Sequence, residues 1–183
     1  MRDASGAQPA APGIVPAALN SIPCTSAAFA ELGSEMLRSG VSVRFRALGA
    51  SMSPLVRDSD VVLVRPVEPG SIRVGDVVMV TVGPGRVLVH RVVERVIGPD
   101  GTRFTVQGDQ VAQPDGTIPA AQVVGRVASI ERGGARIEMD RPVMRWLGRL
   151  AVLRSRSAPG RGRGFRQAGR LVRRLPVLSR YLA

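Results

Sequence analysis

The spacing of apolar side chains changes once along the chain. From Ser26 to about Arg38, Phe29, Leu32, Met36 and Leu37 recur at helical intervals. Thr25 or Ser26 supplies an N-cap and Gly40 a stop, so the pattern predicts one short amphipathic helix covering an edge of the domain. Beyond it the period drops to two. Val41, Val43, Phe45 and Ala47 fall on one side of an extended run, with Arg44 and Arg46 on the other. Aliphatic runs follow at Val61–Val64, Val77–Val80, Val87–Val96, Arg103–Gln107, Val123–Glu131 and Arg136–Met139. Gly75-Asp76, Gly83-Pro84-Gly85, Pro99-Asp100-Gly101 and Gly133-Gly134 punctuate them, and residues 108–119 read as a loop. Short strands at regular spacing, with no βαβ alternation, predict a mainly β fold: a coiled antiparallel sheet or partly open barrel.

The flanks read differently. Residues 1–24 are rich in Ala, Pro, Gly and Ser, the composition of a disordered leader. The domain is expected over 25–140, and a basic, helical tail over 141–183. In that tail Val143, Met144, Trp146, Leu147, Leu150 and Leu153 can share one helical face. A flexible linker over 154–164 leads to a second helical stretch, Phe165 to Leu182, which Pro176 interrupts. The uncharged stretch 4–30 is broken by Pro9, Pro12, Pro16 and Pro23, so neither a membrane span nor a signal peptide is expected. The protein is expected to be cytoplasmic or peripherally bound to a membrane.

Charge sharpens this division. The formal net charge is +12, and residues 141–183 carry 12 arginines and no acid, which leaves the preceding residues neutral. Trp146, Phe165, Leu171, Leu175, Leu178 and Tyr181 interleave with those arginines and favour a membrane surface over nucleic acid as the tail's partner. Packing of the tail on the domain is the plain alternative.

Candidate chemistry gathers at Gly49-Ala50-Ser51-Met52-Ser53-Pro54, a tight turn after the first strand. A serine there can aim its hydroxyl and its own N–H into one cleft, as nucleophile and oxyanion donor. All 26 basic residues are arginine, so the chain contains no Ser-Lys dyad, and His90 is the only imidazole. His90 shares a strand face with Leu88 and Val92, and the loop beyond it holds Asp109 and Asp115, either of which could orient the ring. Cys24 is the only cysteine, which excludes an intrachain disulfide and a multi-cysteine zinc site. No metal or cofactor is expected.

The strings GASMSPLVRDSDVVLV, RVGDVVMV, VLVHRVV, FTVQGDQVAQPDG and VVGRV, in that order over roughly 38–130, resemble type I signal peptidases. The likeness is strongest to the branch in which histidine replaces the catalytic lysine, as in endospore-former, archaeal and endoplasmic-reticulum enzymes. It implies a signal-peptidase-type β fold and a serine endopeptidase that removes a leader or signal segment from a precursor through an acyl-enzyme. Ser51 would be the nucleophile and His90 the base. Asp115 is preferred as the histidine's partner. Asp109 is the alternative, but its Gly-Asp pair also occurs in the lysine-using relatives, which points to bracing the loop against Arg91. The substrate would add as an extended strand beside Val41 to Leu48. The chain departs from the family in three places: it has no evident anchor, Gly49 replaces an oxyanion-binding serine, and Gly-Asp-Gln replaces Gly-Asp-Asn. The zero lysine count argues against a self-cleaving repressor peptidase. The remaining rival is an inactive peptidase-like domain that binds peptides and has a basic tail for an anionic partner.

Overall fold

The computed structural model describes residues 26–157; the leader and the second helical stretch of the tail lie outside them. Helix α1 (Ser26–Arg38) precedes eight strands: β1 (Val43–Arg46), β2 (Val61–Arg65), β3 (Val77–Gly83), β4 (Arg86–Gly98), β5 (Gly101–Gln107), β6 (Gly116–Pro119), β7 (Val123–Arg132) and β8 (Ala135–Glu138). Helix α2 (Pro142–Ser157) follows. The strands form one antiparallel sheet in the order β1-β2-β7-β3-β4-β5-β6, with β8 on β7, and the sheet is not closed into a barrel. That is the mainly β fold expected from the spacing.

The VVMV run of β3 explains how one sheet holds two cores. Val77 and Met79 belong to one apolar cluster, and Val78 and Val80 to the other. Side chains alternate across a strand, so β3 is buried on both faces and its run is continuously apolar. The first cluster gathers Leu37 of α1, Val62 and Val64 of β2, and Val127 and Ile130 of β7. The second gathers Val92, Phe104 and Val106 of β4 and β5. The Phe29 and Phe45 rings, 4.8 Å apart, tie α1 to β1.

Three expectations need correcting. Leu32 faces solvent, because α1 docks through Ala30, Gly33, Ser34 and Leu37, where small residues admit the helix closely. Residues 108–119 are not all loop: β6 pairs with β5 from Arg103↔Pro119 to Val106↔Gly116. The run is short and polar on its surface, so no alternation announced it. In α2 the apolar residues do not share one face. Gly148 and Val152 are buried and Met144 packs on the first cluster, whereas Val143, Trp146 and Leu153 are exposed.

The segment between β1 and β2, which carries Ser51, is clamped from beneath by Arg132. Its Nη2 donates to Leu55 O at 2.9 Å and to Asp60 Oδ2 at 2.6 Å, and its Nε donates to Asp60 Oδ1 at 2.9 Å. Burial pushes the Asp60 carboxyl up, but hydrogen bonds from Arg132 and the Arg57 N–H, with the charges of both arginines, outweigh it and hold the pKa below the ordinary 3.8. A carboxylate held low in the fold stabilises fully above its unfolded-state value, and that stabilisation is lost as pH falls through the folded value. Melting temperature is therefore expected to drop steeply below about pH 4, and Asp60→Asn to flatten that limb. Superimposable acid limbs for the two proteins would show that this carboxylate contributes nothing.

Candidate active site

Ser51 sits in the turn that follows β1. Gly49 N donates to Asp58 Oδ1 at 2.8 Å, and Ser53 N and Val56 N close back on Ala50 O and Met52 O at 3.0 Å each. Met52 and Val56 are buried in the first core cluster, which anchors the turn, while Ser51, just before Met52, is exposed. The backbone N–H of Ser51 has no hydrogen-bond partner among the described residues, so it is free to meet a developing oxyanion.

His90 comes from the middle of β4, directly opposite Val78 of β3 and therefore on the face of the second core cluster. It is only 4% exposed. The β4–β5 register shifts between Val92 and Glu94, just beyond it; irregularities of this kind often re-aim side chains beside functional sites. Burial alone would suit a core histidine, but both ring nitrogens meet specific partners. Nδ1 lies 2.5 Å from Asp115 Oδ2, and Nε2 lies 3.0 Å from Ser51 Oγ. With Nδ1–H donating to the carboxylate, Nε2 is left to accept the Ser51 hydroxyl proton.

The two aspartates separate cleanly. Asp115 is held by its N–H donating to Val106 O at 2.9 Å, and its side chain is a quarter exposed. Asp109 does not reach the histidine. It receives Arg91 Nε at 2.7 Å and Arg91 Nη2 at 2.6 Å, a two-pronged pair with both side chains buried. The two aspartates thus have different partners: Asp115 meets His90 Nδ1, and Asp109 meets the Arg91 guanidinium.

Two contacts carry no sequence signal. Gln110 N donates to Ser51 O at 2.8 Å, stitching the Asp109 loop to the Ser51 turn. At Gly108 a Cβ would lie 2.9 Å from Ser51 O and 3.1 Å from His90 Nε2, so only glycine lets the two segments close on each other. Asp58, which caps Gly49, was equally silent. It also lines a cavity of about 550 Å³ with Arg46, Asp60, Arg132 and Arg136, but that cavity includes none of Ser51, His90 and Asp115. Among the described residues no three His, Cys, Asp or Glu side chains converge as a metal-ligand set.

A serine, a buried histidine and a carboxylate in line point to the serine peptidases, and the sequence model of one such family matches. It is Peptidase S24-like, over residues 13–128. The chain belongs to the Peptidase S24-like family. This family takes in both self-cleaving repressor-type peptidases and signal peptidases, and membership assigns the chain to the serine-peptidase type without choosing between them. No curated protein and no solved structure matches the chain. No described helix is long and apolar enough to cross a membrane.

Proposed function

We propose that this S24-like protein is a serine endopeptidase of the signal-peptidase type, cleaving a leader from a precursor peptide or protein. The observation that carries the proposal is the unbroken line from Asp115 Oδ2 through His90 to Ser51 Oγ. Ser51 Oγ attacks the scissile carbonyl while His90 Nε2 takes its proton. The oxyanion of the tetrahedral intermediate is met by the Ser51 N–H, and Asp115 stabilises the imidazolium. His90 then returns the proton to the leaving amine, and the acyl group stays on Ser51. A water activated by the same nitrogen releases it. Histidine in the base role, in a chain without lysine, favours the Ser-His signal-peptidase branch over a self-cleaving repressor.

The substrate side rests on β1. Among the described residues this strand pairs only with β2, which leaves its other edge for an added strand. Meeting substrates at an anionic lipid surface is part of the same proposal. Val143, Trp146 and Leu153 are exposed on α2, in a segment of 12 arginines and no acid, which supports it.

Mapping the cut by mass spectrometry tests both parts. A precursor with small residues before the scissile bond is expected to be cut once, after a small side chain, and faster when anionic vesicles are added. Cleavage confined to the protein's own chain would favour the repressor-type reading. A rate indifferent to vesicles would remove the lipid part.

A further inference from the structure

We propose that helix α2 is a positioning element of the active site, acting through Gly148; the proposal rests on the peptidase reading above. Two glycines meet back to back. A Cβ on Gly148 would fall 2.6 Å from Gly75 O, and a Cβ on Gly75 would fall 3.1 Å from Gly148 C and from Arg149 N. The atoms in the way are backbone atoms, so no flexible side chain can yield. Helix α2 therefore sits with its main chain against the Gly75-Asp76 turn, an approach that only glycine permits.

That turn is bonded to the strand that carries His90. Gly75 N donates to Val92 O, and Val92 N donates to Asp76 O, both at 2.8 Å. Between these bonds Arg91 Nη1 donates to Gly75 O at 2.8 Å, and the same guanidinium holds Asp109. A Cβ on Gly148 would also come within 3.1 Å of Arg91 Nη1. Asp109 lies between Gly108, where a Cβ would fall 2.9 Å from Ser51 O, and Gln110, whose N–H donates to Ser51 O at 2.8 Å. One unbroken set of contacts thus runs from the α2 main chain through Gly75, Arg91 and Asp109 to the backbone of the nucleophile. Moving α2 moves Gly75 O, the anchor of Arg91, and with it the loop packed on Ser51.

The test compares Gly148→Ala and Val152→Ala, which disturb the docked face of α2, with Ile137→Val, a buried substitution in β8. All are made in the full chain and assayed well below their melting temperatures. Both α2 variants are expected to lose about tenfold to a hundredfold in kcat, with KM within about twofold, because misplaced catalytic groups lower turnover more than binding. Ile137→Val is expected to lower melting temperature with kcat unchanged. Val152→Ala keeps the test open should Gly148→Ala not fold. Amide exchange at Gln110 gives a second reading that does not need activity: it is expected to quicken in the α2 variants and not in Ile137→Val. Unchanged kcat and unchanged Gln110 exchange in the α2 variants, or equal losses in all three proteins, would overturn the proposal. Wild-type protein without Ser51-dependent turnover would sink the peptidase reading instead, and the exchange data would still decide the coupling.

Discussion

Ser51→Ala is expected to abolish peptide cleavage, a loss of roughly 10⁶-fold in kcat where nucleophile and base act as a unit. His90→Ala is expected to lose as much, and the double variant no more than either single one. The reason is geometric: Nε2 lies 3.0 Å from Ser51 Oγ, and no second imidazole or lysine exists in the chain to replace it. Asp115→Asn is expected to cost roughly 10⁴-fold with little change in melting temperature, because an amide can donate to Nδ1 and hold the ring in the wrong tautomer. Steady-state kinetics beside thermal melts check the set. Near wild-type turnover in any of these folded variants would remove that residue from the mechanism.

The second large effect falls on stability. Arg91 and Asp109 have side chains only 5% and 6% exposed. Removing one partner strands the other's charge in the interior, which typically costs about 3–5 kcal/mol. Arg91→Ala is therefore expected to lower the melting temperature by about 10 °C or more. Asp109→Asn is expected to destabilise more than Asp115→Asn, while turnover falls more in Asp115→Asn. If Asp109→Asn proves stable and inactive, and Asp115→Asn active, the two roles are reversed.

The contrast between these aspartates shows what the sequence could carry. The histidine at a strand centre, the lack of lysine and the strand spacing are local features, so Ser51, His90 and the β architecture were legible. Asp115 was preferred over Asp109 through the resemblance, because the Gly-Asp pair also occurs in relatives that use lysine; the structure sets Asp115 Oδ2 2.5 Å from His90 Nδ1. Contacts between backbones far apart in the chain leave no such trace. Gly108 and Gly148 look like any loop or helix glycine until Ser51 O and Gly75 O are placed beside them. The face that α2 buries was misjudged for the same reason. Periodicity counts apolar residues, whereas the docking surface is chosen by the smallest one, which lets the main chains touch. Strand β6 escaped because four residues, Gly-Thr-Ile-Pro, with a single aliphatic side chain are too few to show apolar alternation.

The proposed mechanism depends on Ser51 as an activated nucleophile. The most direct measurement is intact-mass and peptide-level detection of a covalent adduct after exposure to a serine-reactive acylating or phosphonylating probe. One adduct per chain is predicted, on Ser51, formed by the wild-type protein and lost in His90→Ala. Protein that stays unmodified, or a Ser51 that reacts equally well without His90, would contradict it.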